Sequence, residues 1–218
     1  MSIIPWFTND TVGDALQEAR ALARPIFLDL WSRTCKGCAK LFAVGYQANE
    51  VRQFLAERFI CIKYDTKAPN EWFRKLNGSV GHVWHPDLVV LDDRLTEAKR
   101  VIGYLPPRDL IAHLSLGIGL VHLHRTRYDQ ALETFEEVSD RYGDTTAAAE
   151  ALYWEGVAAL RAGGGLAALS IRWEALRAAH PSSQWALAAD CLDVSIPDGG
   201  FDSHDLGSVR LGDSLACC

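Results

Sequence analysis

The sequence predicts an α/β domain built on a mixed sheet, followed by an all-helical region. Two observations predict it. Short apolar runs of strand length alternate with helical periodicities over residues 10–112, and helical periodicity alone continues from there to about residue 190. The end of the chain is different again, dotted with Asp and Gly and poor in apolar residues. The expected units are therefore residues 1–112, residues 113–192 and a flexible acidic tail over 193–218.

Each element follows from a local pattern. Val12, Ala15, Leu16, Ala19 and Leu22 recur at helical spacing over residues 10–23, and Pro25 stops that helix. Ile26–Trp31 is an apolar run bounded by Pro25 and the polar Ser32–Gly37 stretch, and it reads as a buried strand. A helix is expected over 36–57, a second strand over 59–64, a short helix over 69–77 and a loop over 77–85. Helix, strand, helix, strand implies a parallel pair joined by a crossover. Asp87–Leu91 and a strand near Lys99–Tyr104, separated by the Asp92-Asp93 turn, form a hairpin. Helix resumes near Arg108, after Pro106-Pro107.

Apolar residues make up 49% of the chain and charged residues 23%, enough for each half to build a core. The net charge of −6, with no Lys/Arg-rich run, argues against nucleic acid as a partner. Residues 190–218 carry six aspartates against Arg210 alone, so the body of the protein is close to neutral. No window approaches the roughly 18–20 apolar residues that span a bilayer, and a membrane is not an expected partner. The opening MSIIPWFTND lacks the basic segment and long apolar stretch of a secretory leader, so the expected location is the cytoplasm. The six cysteines (35, 38, 61, 191, 217 and 218) are not spaced as a disulfide scaffold. In a cytosolic chain a Cys-x-x-Cys points to redox chemistry or metal instead.

Cys35-Lys36-Gly37-Cys38 lies between a strand and a helix. The first cysteine then sits at a helix N-terminus, where unpaired backbone N–H groups and the helix dipole favour a thiolate. Arg33, Lys36 and Lys40 add positive charge nearby. The thiolate is the attacking species in disulfide exchange, which makes Cys35 the expected nucleophile. The two-residue spacing puts Cys38 within disulfide reach on the first helical turn, as the resolving thiol. Asp29, a carboxylate in an apolar strand, is costly to bury unless it has a role.

Residues 26–38, IFLDLWSRTCKGC, resemble the active-site segment of the thioredoxin family, in which a strand with Asp-x-Trp precedes Cys-x-x-Cys. The RPIFLDL…TCxxC form with a downstream KYD is most similar to the spermatogenesis-associated type of thioredoxin-like domain. The resemblance implies a thioredoxin-like fold over about 1–115. It also implies that Asp29 moves the proton of the resolving cysteine and that Trp31 packs beside the site. Pro86 takes the place of the family's cis-proline, facing the cysteines. Thr34, Lys36, Gly37 and His85, with Trp31 and Pro86, are the expected substrate-binding positions. Thr34, Lys36-Gly37, His85 and Asp87 depart from the family's usual residues, which bears on redox potential and substrate. No cofactor or resident metal is expected. The opposing reading of Cys35 and Cys38 is half of a metal site completed by His82, His85 or the tail cysteines.

Beyond residue 112 two stretches look alike. The first has Gly119, Tyr128, Ala131, Phe135 and Val138; the second has Gly156, Ala168, Trp173, Leu176 and Pro181. Gly119 and Gly156 are 37 residues apart, near the roughly 34 of a tetratricopeptide repeat, which these stretches resemble. The resemblance implies a groove for a protein or peptide. Cys61 reads as a small core residue, Cys191 has no evident role, and His122 and His124 at i, i+2 point to different faces.

Cys217-Cys218 has several readings. It is a tethered thiol pair that visits Cys35, a soft-metal ligand pair, a lipidation signal or an inert end. The 24 residues from Ser195 have a reach of roughly 25–30 Å if flexible. The expected function is thiol–disulfide exchange with a protein or small-molecule disulfide client and a dithiol reductant, clients being recruited by the helical repeats. The contrasting class is a non-catalytic adaptor.

Overall fold

The computed structural model describes residues 3–192, 194–195 and 210–211. In chain order the elements are β1 (Trp6–Phe7), α1 (Val12–Leu22), β2 (Ile26–Trp31), α2 (Lys36–Ala43), α3 (Asn49–Arg58), β3 (Ile60–Asp65), α4 (Glu71–Val80), β4 (Asp87–Leu91) and β5 (Glu97–Ile102). They are followed by α5 (Pro107–His124), α6 (Tyr128–Arg141), α7 (Ala148–Ala159), α8 (Gly165–Ala179), α9 (Gln184–Ala188), β6 (Val194–Ser195) and β7 (Arg210–Leu211).

Five strands form one mixed sheet in the order β1-β3-β2-β4-β5. β1 and β2 run parallel to β3, while β4 runs antiparallel to both β2 and β5. The expected parallel pair and hairpin are thus present in one sheet. β2 lies at its centre and is buried on both faces. Ile26, Leu28 and Leu30 pack toward α1 and α4, while Phe27 packs toward α2, α3 and α5. The side chains of a strand alternate, so Asp29 is directed to the face of Phe27.

Two elements differ from the sequence expectation in ways that shape the site. The single helix expected over 36–57 is two helices, interrupted by a tight turn at Gly45–Gln47 and by extended backbone at Ala48. A Cβ on Gly45 would stand 2.8 Å from Leu41 Cδ1, so the chain turns there where a side chain does not fit. The break buries Tyr46 against the sheet. β1, only two residues long, adds a parallel edge that no periodicity could reveal.

The boundary expected between 112 and 113 falls inside α5. One face of that helix, with Leu110, Ile111 and Leu114, belongs to the core over the sheet. The other, with Ala112, Leu116 and Leu120, belongs to the core shared with α6 and α7. The helices cross closely where glycine allows it. Gly119 of α5 lies under the ring of Phe135 in α6, and a Cβ on Gly156 of α7 would stand 2.7 Å from the Trp173 indole in α8. β6 pairs with β7, Val194 standing opposite Leu211, so these two segments of the tail have strand structure that its composition did not suggest. Among the described residues no helix is long and apolar enough to cross a membrane.

A buried polar seam joins the helical layer to the sheet. Lys99 on β5 pairs with Glu150 on α7. His113 Nε2 lies 2.9 Å from Thr146 Oγ1, whose hydroxyl donates to Asp109. The histidine is therefore the donor in that bond, and its Nδ1 is buried without a partner among the described residues. Burial, and then the Lys99 charge, push His113 down to about 4 from an ordinary 6.5. The folded-state value lies below the unfolded one, so the stabilisation is complete above pH 6.5 and disappears as pH falls to about 4, where both states bind the proton. At most about 3 kcal/mol is at stake. Urea denaturation at pH 7 and pH 4.5 is expected to show the larger loss in the wild type and a flatter profile in His113→Gln. Equal slopes in the two proteins would refute this assignment.

Candidate active site

β2 and α2 aim the two cysteines. The Cys35 N–H closes a turn onto the Ser32 carbonyl at 3.1 Å, which carries the chain from the strand into the helix. Cys35 is the N-cap of α2, and its Sγ accepts the backbone N–H of Cys38 at 3.0 Å. Cys35 is half-buried and reaches solvent, whereas Cys38 is buried one turn below it; neither is paired. Burial, followed by the contact with Cys35, pushes the Cys38 thiol up to about 12. The outer sulfur is accessible and held at a helix N-terminus, and the inner one is kept protonated.

Beneath them lies a charged pair. Asp29 is 1% exposed, and its Oδ2 accepts from Lys63 Nζ at 2.8 Å and from the Tyr46 hydroxyl at 2.9 Å. Its Oδ1 has no partner among the described residues. Asp29 is near enough to contribute to the upward push on Cys38. Lys63, 17% exposed, stands beside Asp29 in the parallel β2–β3 register. Its ammonium lies 4.7–5.8 Å from the ring centroids of Trp6, Trp31, Phe42 and Tyr46, a cage that favours a cation. Trp31, Phe42, Lys63 and both cysteines line a cavity of about 290 Å³.

On the other side of Cys35 is a cleft of about 470 Å³ whose walls include Thr34, Cys35, Lys36, Gly37, Trp84 and His85. The expected substrate positions Thr34, Lys36, Gly37 and His85 are therefore together. The His85–Pro86 peptide bond is cis. A Cβ on Gly37 would stand 2.8 Å from Pro86 Cδ and 3.8 Å from Cys35 Sγ, so Pro86 does face the cysteines across a gap that admits only glycine. Trp31 stands at the opposite cavity rather than in this cleft.

Two expected sources of positive charge have partners of their own, Arg33 while still lining the cavity of the two cysteines. Arg33 is paired with Asp65 at 3.3 Å, and Lys40 lies over the Tyr104 ring. Lys36 remains on the cleft wall. Cys61 is buried in the core, as its strand position implied, and burial pushes its thiol upward. Among the described residues no three His, Cys, Asp or Glu side chains converge as a metal site. Cys217 and Cys218 lie outside the described residues.

Sequence reasoning missed Lys63, Tyr46 and Trp84. Lys63 had a signal: it is the lone charge within the apolar run Phe59–Tyr64, as Asp29 is within Ile26–Trp31. Trp84 is 68% exposed beside Cys35, and nothing in its sequence context announced it.

A family model described as "Thioredox_DsbH: Protein of unknown function, DUF255" matches residues 3–72, a span that holds both cysteines, Asp29 and Lys63 and ends before the His82–Asp87 segment. Among solved structures the chain is similar to a "DsbH Oxidoreductase" at 16% identity, covering 54% of this chain and 85% of that one with a TM-score of 0.45. It is similar to the oxidised C-terminal domain of Neisseria meningitidis DsbD at 18% identity, covering 49% and 93% with a TM-score of 0.42. A thioredoxin from Thermus thermophilus gives 21% identity, 52% and 85% coverage and a TM-score of 0.44. A search of the curated proteins gives no match. The strand order and the cysteine at the N-terminus of α2 define a thioredoxin-like fold, continued by a helical layer.

Proposed function

We propose that the protein is a thiol–disulfide oxidoreductase acting through Cys35 and Cys38. The observation that carries this reading is the pairing of an accessible Cys35 sulfur, held by the Cys38 N–H, with a buried Cys38 thiol pushed up to about 12. Cys35 attacks a client disulfide as thiolate, and half of the client leaves as a thiol. Cys38 then gives its proton to the Asp29 carboxylate and attacks the Cys35 sulfur, releasing the other half. Both client sulfurs are reduced, and the two electrons come from the cysteine pair, which a dithiol donor restores. In a reducing compartment such as the cytoplasm the net direction is reduction of the client.

The exposed Trp84 on the cleft wall supports a protein client, since it offers apolar surface at the point of attack. The glycine-crossed helices α5–α8 support the tetratricopeptide-like reading, in which the helical layer recruits that client.

Dithiol-dependent reduction of insulin by the full chain tests the proposal. Wild type is expected to accelerate precipitation of the released B chain, and Cys35→Ser to match the rate without protein. Equal inactivity of both, with a specific partner still retained by the helical layer, would favour the adaptor instead.

A further inference from the structure

Next to Cys35 a second set of titratable groups stands outside the Asp29 machinery. Asp87, fully buried, accepts from Arg100 at 2.9 Å through Oδ2, and the same oxygen lies 3.0 Å from His82 Nδ1. His82 Nε2 lies 3.0 Å from His85 Nε2, which is also 2.7 Å from Thr66 Oγ1. The Thr66 hydroxyl donates to the Trp31 carbonyl. His85 is on the wall of the cleft that holds Cys35.

With His82 neutral, the direction of each proton in this chain follows from the contacts at its ends. A carboxylate ion-paired with Arg100 only accepts, so His82 Nδ1 carries a proton. In a neutral His82 the Nε2 is then bare and accepts from His85 Nε2–H. In that arrangement Thr66, which donates to the Trp31 carbonyl, accepts from the same N–H. His85 Nδ1 is left as the unprotonated nitrogen, and it has no hydrogen-bond partner among the described residues. Burial, then the neighbouring His82 and Lys67, lower the pKa of His85, while Asp87 and Asp29 oppose this; Lys36 is the remaining charge on the cleft wall.

We propose that His85 is the acid–base group of the Cys35 half-reaction, with His82 and Asp87 as residues that position it and share its charge. This deepens the exchange reading and rests on it. His85 Nδ1 takes the proton of the Cys35 thiol. The thiolate attacks the client disulfide, forming one S–S bond and breaking another, and the departing sulfur takes its proton back from His85. The charge gained in between spreads through His85 Nε2–H to His82, where the buried Asp87 carboxylate stabilises it. Asp29 then serves only Cys38, so each cysteine has its own proton carrier on opposite sides of α2.

The test isolates the first step in the full-length Cys38→Ser chain, with dithiobis-nitrobenzoate as the probe disulfide. With His85 intact the rate of mixed-disulfide formation is expected to level off at lower pH than in His85→Gln. The variant should be slower by roughly 10-fold or more near pH 7. It should match the parent at alkaline pH, where solvent ionises the thiol. Added imidazole should restore His85→Gly near neutrality. A deficit of the same size at every pH, without imidazole rescue, is a structural effect and would overturn the proposal, as would no deficit. If the variants do not fold, nitrogen NMR of the unmutated chain decides: the tautomer with Nε2 protonated is expected for His85, and its opposite refutes the relay. A parent that forms no mixed disulfide at any pH refutes the exchange reading itself, a different result from a parent that reacts without using His85.

Discussion

Full-length Cys38→Ser protein mixed with a disulfide client is expected to stop as a covalent Cys35–client adduct, with insulin turnover near background. The reason is the division of labour between the two thiols. Cys35 does not need Cys38 to attack, because its sulfur is accessible at the helix N-terminus. Release does need Cys38. A thiol one turn away attacks the mixed disulfide at a high effective concentration, an advantage that free thiols at millimolar levels do not match. The high pKa of Cys38, about 12, sets the order of events. It stays protonated while Cys35 attacks, and it becomes a nucleophile only when a base beside it accepts the proton. Mass spectrometry of the non-reduced product should find the client on Cys35. Turnover by the serine variant equal to that of wild type would mean that an external thiol resolves the intermediate, and the two-cysteine mechanism would be wrong.

Much of this arrangement was legible in the sequence because it rests on short-range rules. The central strands are apolar runs between breakers, and a cysteine pair placed after such a strand falls at a helix N-terminus whatever the rest of the chain does. Asp29 announced itself as a charge where burial is expensive. The remaining features depend on contacts between distant segments. The break at Gly45–Gln47 that buries Tyr46 uses a glycine where a Cβ would meet Leu41, a contact invisible to helical periodicity. α5 is apolar nearly all round because it serves two cores, and periodicity alone cannot say where one unit ends within such a helix. Arg33 and Lys40 lie next to the cysteines in sequence, yet their side chains reach Asp65 and Tyr104. The contact between His82 and His85 requires a loop to bring two rings to a 4.4 Å separation, and loop conformation is what local patterns specify least.

Lys63→Met is expected to lower both stability and activity, and a second substitution should separate the two effects. In the wild type the buried Asp29 carboxylate has two donors on one oxygen, Lys63 and Tyr46. Removing the ammonium leaves a charge 1% exposed with a hydroxyl as its only remaining partner among the described residues. Breaking a buried ion pair from one side costs about 3–5 kcal/mol, because the abandoned charge keeps its desolvation penalty. The aromatic cage around Lys63 also loses its cation, while the methionine fills part of the same space. Replacing both partners, as in Asp29→Leu with Lys63→Met, removes the unpaired charge and should recover most of the stability. It should not recover turnover, since no carboxylate remains to take the Cys38 proton. Urea denaturation and insulin reduction on the three proteins give the comparison. If the double variant regains turnover with its stability, Asp29 is only a structural partner of Lys63. If Lys63→Met unfolds within about 1 kcal/mol of wild type, the pair is not the buried, desolvated contact that the geometry describes.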